Sequence, residues 1–184
     1  MKMKIKDLTL MSVLLTILII SSKIVINISF VPLTFQTFAV MITSMILKTK
    51  KAAIVFAIYT IIGLFGLPVF SSGGGFEYIF KPSFGFILGF IMSSLFIGNV
   101  NTLNSYFKNI ILITIGLTTI YLVGSIYMYI IFNCYLNITK DILEVLIIGV
   151  IPFIIKDFSS SLLSLIIYRK LIKQTSLNNY LLCD

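Results

Sequence analysis

Apolar residues fill six blocks of this chain, separated by short polar or glycine- and proline-bearing breaks. The blocks run over about residues 7–28, 35–47, 52–70, 83–103, 109–134 and 142–168. A helix needs roughly 20 apolar residues to cross a bilayer, so the pattern predicts an all-α membrane protein of six transmembrane helices. The second block is short for a full span, and Pro32, Thr34, Gln36 and Thr37 mark where it begins. Irregular backbone at membrane depth has to be covered by protein or line a cavity, so this start is a place to look for a site. The first block follows a basic stretch, as a signal peptide would. It is too long for such a segment and has no small-residue cleavage site before Lys23, so it counts as a span.

Composition agrees with the pattern. Of 184 residues, 59% are hydrophobic and 11% charged, with mean hydropathy +1.11, which is too apolar for a soluble domain. The net charge of +8 is distributed by topology. Lys2, Lys4 and Lys6 precede the first span, Lys48, Lys50 and Lys51 join the second to the third, Lys108 joins the fourth to the fifth, and Arg169, Lys170 and Lys173 close the sixth. The positive-inside rule puts these flanks, and both termini, in the cytoplasm. The other cations, Lys23, Lys81, Lys140 and Lys156, fall in outward loops or within helices. The excess charge therefore predicts orientation in a lipid bilayer and no nucleic-acid partner. Residues 1–173 form a single integral membrane domain, expected to bind a substrate; 174–184 is a polar tail, expected to be disordered.

Several chemistries are excluded or disfavoured. The chain has no His and two cysteines, Cys134 and Cys183, which lie near opposite faces and are not expected to pair. Neither a zinc site nor a nucleophile with its usual base can be assembled. The SSGGG run at 71–75 lacks the Lys-Ser/Thr that completes a phosphate-cradling loop. ATP hydrolysis by this chain is not expected, so energy for uphill movement would have to come from a partner or an ion gradient. No cofactor is expected. A non-transport scaffold or an intramembrane enzyme remains the weaker alternative.

Lys156 and Asp157 carry the sharpest local signal, because they stand inside the sixth apolar block just after Pro152. A charge in a span is costly unless paired or hydrated, and marks function by default. The bland reading is an ion pair that merely holds the bundle. Adjacent helical residues point about 100° apart, so a direct bridge between these two is expected to be poor. Gln36 offers two donors and an acceptor to a small polar heterocycle; equally, it could belong to a cluster that satisfies free backbone N–H groups, with Thr34 as N-cap. Glycines of the 71–81 loop, Gly74 among them, allow close backbone approach to a ligand. Glu77 and Lys81 read as a solvated surface pair. Gly85 and Gly89 read as internal packing. Ser12 and Thr16 form a small-residue stripe on the first span, suited to close helix approach.

Three segments taken together, VPLTFQT at 31–37, YTIIGLFGLPVFSSGGG at 59–75 and KPSFGF at 81–86, resemble the signature of the BioY family, the biotin-specific S subunits of energy-coupling-factor (ECF) vitamin transporters. The resemblance covers about Ile5 to Arg169. It implies an S-component-like bundle in the bacterial cell membrane, capturing biotin and handing it to a transmembrane coupling subunit with two ABC-type ATPases. It implies a lid over an outward pocket for the 71–81 loop, and docking on the coupling subunit for Ser12 and Thr16. Asp157 matches the aspartate of the family's Gly-Asp-x-x-Lys pattern, expected to take the ureido N–H groups of biotin. Lys156 replaces the Gly of that pattern and Ser160 its Lys, the natural partner of the ligand carboxylate. The family's Gly-Pro-Thr/Ser-Gly-Gly-Tyr run appears as Lys81-Pro82-Ser83-Phe84-Gly85-Phe86. Either Lys156 or Lys81 has taken over the carboxylate, or the ligand is another small vitamin or metabolite.

Overall fold

The computed structural model describes residues 4–26, 30–101, 103 and 105–174; Cys183 and the polar tail beyond Gln174 lie outside them. Six α-helices are present among the described residues: α1 (Ile5–Lys23), α2 (Gln36–Leu64), α3 (Phe84–Ile97), α4 (Tyr106–Ile130), α5 (Ile142–Gly149) and α6 (Ile151–Gln174). A two-residue antiparallel ribbon, Val25–Ile26 with Leu33–Thr34, joins α1 to α2. A short 3₁₀ helix, Phe76–Phe80, sits in the loop before α3, and a π turn, Ile131–Tyr135, prolongs α4. Among the described residues, three helices are long and apolar enough to cross a membrane: Ile5–Lys23, Tyr106–Tyr135 and Ile151–Lys173.

The helix α2 is two arms, as the second and third apolar blocks predict. Lys48 has φ 62° and ψ 178°, and the chain doubles back there. The proof is the hydrogen bond from Gln36 Nε2 to Tyr59 Oη at 2.8 Å. In a straight helix, residues 23 apart would stand about 35 Å from one another. A positive φ is uncommon for a non-glycine residue, and this one is held on three sides. Its ammonium donates to the Val100 carbonyl at 2.8 Å and to Tyr168 Oη at 3.1 Å. Behind the turn, a Cβ on Gly98 would lie 2.3 Å from the Thr49 nitrogen, so α3 ends directly against it.

The last apolar block departs from expectation by breaking in two. Val150 has φ −124° and ψ −55°, between α5 and α6 and two residues ahead of Pro152. Proline lacks the N–H that would continue the ladder and crowds the preceding turn. The break sets Lys156 and Asp157 one to two turns into a fresh helix.

Packing centres on α2, which touches α1, α3 and α6, while α3 lies along α4. Gly85 and Gly89 make that last contact possible, as the sequence suggests. A Cβ at Gly85 would stand 2.3 Å from Tyr127 Cβ, and one at Gly89 2.9 Å from Ile120 Cα. Phe56, Tyr59, Met41 and Met45 of α2 and Leu18 of α1 are fully buried in one core. Outward positions on α1, α4 and α6 are apolar and exposed, Val13, Ile20, Leu122, Ile126, Ile155 and Ile166 among them, which suits helices bathed in lipid.

The two ends of the bundle differ in chemistry. At one end Lys51 pairs with buried Asp7 at 3.0 Å, and Asp7 also accepts the Lys4 backbone N–H. The Lys48 turn, the Arg169 guanidinium stacked 3.6 Å from the Tyr106 ring centroid, and the start of α4 gather there too. At the other end Ser22 and Lys23 donate to the carbonyls of Val69 and Phe70. That second end holds the polar start of α2 and the 65–83 loop, and a cavity.

Candidate functional site

The cavity is enclosed by the start of α2, the 65–83 loop, α3, α4 and the first turns of α6. Counted out through its open mouth, solvent space included, the hollow measures about 520 Å³. Val31, Pro32, Phe86, Ile87, Phe90, Ile120 and Phe153 give it apolar walls. Polar groups reach it from Thr34, Gln36, Thr37, Ser71, Tyr78, Ser83, Tyr121, Lys156 and Asp157. An apolar body with a few convergent polar groups is the ordinary form of a binding pocket.

Asp157 is the centre of one polar group. The residue is 5% exposed, and Tyr121 Oη donates to Oδ2 at 2.8 Å. The Lys156 ammonium lies 2.6 Å from Oδ1, contrary to the expectation that neighbouring residues would not meet. The four-carbon lysine stem curls back over the helix, and the Thr34 carbonyl accepts its ammonium. The approach to Oδ1 is off any hydrogen-bond direction, so this buried oxygen has no hydrogen-bond donor among the described residues. Charge is balanced, but the lone pairs are unfilled. A buried carboxylate oxygen left this way is expensive, and an N–H donor in the cavity would satisfy it.

Gln36 forms the adjoining wall. Its Oε1 accepts the Thr34 hydroxyl at 3.1 Å and its Nε2 donates to Tyr59 Oη, which passes its own proton to the Val69 carbonyl at 2.9 Å. One amide proton stays available to a ligand. Thr34 also accepts the Gln36 backbone N–H at 3.4 Å, close to the capping role expected of it, although Phe35 occupies the N-cap position.

Of the residues singled out from sequence, Gln36, Ser83, Lys156 and Asp157 line the cavity together. Three do not. Gly74 is a packing glycine: a Cβ there would stand 2.0 Å from the Leu67 carbonyl oxygen. Ser160 is buried one turn beyond Asp157, where its carbonyl accepts the Ser164 hydroxyl at 2.8 Å. Lys81 is exposed and donates to the Ser72 carbonyl at 3.2 Å, with its ammonium 4.9 Å from the Tyr78 ring centroid. It does not turn to Glu77, because that stretch is 3₁₀ rather than α and the i,i+4 register is lost. Ser12 and Thr16 are exposed on α1, their hydroxyls returned to the Leu8 and Ser12 carbonyls.

Sequence reasoning missed Tyr121, Tyr78 and Ser71. Tyr121 stands 36 positions before Asp157 in an otherwise apolar block, so no local motif links the two. A phenol at membrane depth needs a partner for its hydroxyl, and that was the available signal.

The sequence profile of the BioY family matches residues 1–176. A probable biotin transporter BioY of Lysinibacillus sphaericus is 33% identical over 146 residues, 78% of this chain and 74% of that protein. Another from Pyrococcus horikoshii is 29% identical over 172 residues, 92% of this chain and 98% of that one. A crystal structure of the S-component for biotin from an ECF-type ABC transporter superposes with a TM-score of 0.83 at 25% identity, over 97% of this chain and 99% of that one. The profile spans all six apolar blocks and the solved fold reproduces the bundle around the cavity: the chain belongs to the BioY family.

Proposed function

We propose that this chain is the high-affinity biotin-capture subunit of an ECF-type transporter. The observation that carries the reading is Asp157 Oδ1, buried, charge-balanced and without a hydrogen-bond donor among the described residues, in the wall of a cavity whose other walls are largely apolar. Biotin brings what such a wall lacks. Its cyclic urea offers two N–H donors beside a carbonyl, its thiophane ring and four-methylene chain suit the phenylalanine and isoleucine walls, and its far end is a carboxylate. Asp157 takes a ureido N–H, with Tyr121 holding the other carboxylate oxygen in place. Gln36 supplies a donor or acceptor to the polar rim of the ring.

The chain binds and releases; a partner supplies the energy. In this reading a transmembrane coupling subunit docks on the exposed Ser12 and Thr16 face of α1, and ABC-type ATPase subunits drive transport. The protein sits in the bacterial cytoplasmic membrane with Lys48, Lys51 and both termini inside, which leaves the cavity facing outward. Cys134 is exposed in the π turn at the cavity end. A membrane-impermeant thiol reagent is expected to label it in intact cells carrying a Cys183→Ser background; labelling only after lysis would reverse the orientation.

Uptake tests the function itself. Cells lacking other biotin uptake but holding an ECF coupling module are expected to accumulate labelled biotin, at nanomolar external concentration, only when this chain is expressed and ATP is available. Accumulation that is independent of the chain would remove the reading.

A further inference from the structure

The cavity holds a second polar group with no assigned role. Ser71 Oγ lies 3.1 Å from Tyr78 Oη, and Ser83 Oγ donates to the same phenol oxygen at 3.4 Å. All three residues line the cavity. Three hydroxyl protons serve two contacts within the cluster, so one O–H remains to donate outward. The phenol is rigidly placed: Tyr78 is 2% exposed, with the Phe70 ring centroid 4.4 Å away and that of Phe84 at 6.4 Å. Above its ring stands the Lys81 ammonium, 4.9 Å from the centroid. A cation on the ring face polarises the phenol toward donation and adds a positive field. Among the described residues no carboxylate opposes it, since Asp157 is the one acid lining the cavity and Glu77 is exposed on the 3₁₀ helix. The two polar groups share no hydrogen bond among the described residues.

We infer that the Ser71–Tyr78–Ser83 hydroxyl cluster, beneath the Lys81 ammonium, receives the carboxylate end of the ligand. The inference rests on the biotin reading and divides the two lysines between the two ends of the molecule. Lys156 is a poor receptor for an anion, because its ammonium is 2.6 Å from Asp157 Oδ1 and a carboxylate drawn there would meet a like charge. The side-by-side ammonium and carboxylate instead match a urea edge, which presents a carbonyl next to an N–H. Lys156 thus belongs with the ureido end, and Lys81 acts on the carboxylate through Tyr78 and its field.

A charge-deletion comparison tests this division. Biotin and biotinamide, its neutral primary amide, are titrated by calorimetry into detergent-solubilised full-length protein and into the Tyr78→Phe, Ser83→Ala and Lys156→Met variants. Wild type is expected to hold biotin about tenfold or more above biotinamide, the scale of one hydrogen bond to a charged group. Tyr78→Phe and Ser83→Ala each lose about tenfold for biotin and little for biotinamide, whose retained binding also certifies the fold. If Tyr78→Phe fails to fold, Ser83→Ala carries the same comparison. Lys156→Met weakens both ligands alike. The inference is overturned if wild type does not distinguish the two ligands, if the hydroxyl variants weaken both equally or neither, or if Lys156→Met abolishes the preference. Folded wild type that binds neither ligand would bring down the biotin reading, and this inference with it.

Discussion

Asp157→Asn is expected to weaken biotin binding by about a hundredfold or more. Two losses add. The hydrogen bond from a ureido N–H to a charged oxygen becomes one to a neutral amide, and bonds to charged groups contribute about 1.5–3 kcal/mol. The substitution also removes the charge beside Lys156, leaving its ammonium in a mostly apolar wall with the Thr34 carbonyl and the face of the Phe153 ring, 6.0 Å to the centroid, to hold it. Breaking a buried pair by removing one member costs more than the pair itself contributes. The amide has the same shape, so Tyr121 and the α4–α6 packing stay in place, and the change reads on binding more than on folding. At about 1.4 kcal/mol per factor of ten, the sum reaches the hundredfold level. Calorimetric titration of the variant, with thermal unfolding in the same detergent as control, checks it. A variant that binds as wild type does would remove Asp157 as the anchor.

Gly74→Ala is expected to cost about 1–3 kcal/mol of stability, the usual scale of overpacking, and to weaken biotin binding with it. An added methyl would stand 2.0 Å from the Leu67 oxygen and 2.7 Å from its carbonyl carbon. Both are backbone atoms, so no rotamer change relieves the contact and the loop itself must shift. That loop is pinned next door by the Gly75 N–H on the Gly63 carbonyl at 2.7 Å. It carries Ser71 and Tyr78 into the cavity, so displacement moves two lining groups at once. A melting midpoint lowered by several degrees, together with loss of affinity, is the expected result. An unchanged midpoint would show that the loop yields freely there.

What could be read from sequence was whatever a bilayer makes expensive. Six apolar blocks mark the helical segments, and the lysine cluster at 48–51 marks the turn that doubles α2 back. Asp157 stands out because a carboxylate in an apolar run demands a reason. Gln36 and Ser83 follow from polar segments at helix ends. The break between α5 and α6 was signalled by Pro152, yet a long apolar run hides a kink, since hydrophobicity says nothing of backbone path. Gly74 looked like a ligand contact because glycine permits close approach of any atom; only the fold reveals that Leu67 is the atom approaching. Ser160 and Lys81 drew attention through departures from a family pattern, and neither is part of the cavity lining, although Lys81 stands over the ring of Tyr78, which is. The Lys156–Asp157 contact defeated a rule about Cβ directions, because a long flexible side chain need not follow its Cβ vector. Tyr121 and Tyr78 meet their partners through tertiary packing across the bundle or through a 3₁₀ turn, and no sequence period encodes either.

Direct binding tests the central claim with the fewest assumptions. Biotin is titrated calorimetrically into the purified, detergent-solubilised full-length chain, whose fold is verified by its helical circular dichroism and a cooperative melt. Nanomolar affinity, about −12 kcal/mol, at one biotin per chain is the expected result. No heat of binding from folded protein at micromolar biotin would contradict it, leaving the fold in place and the ligand wrong.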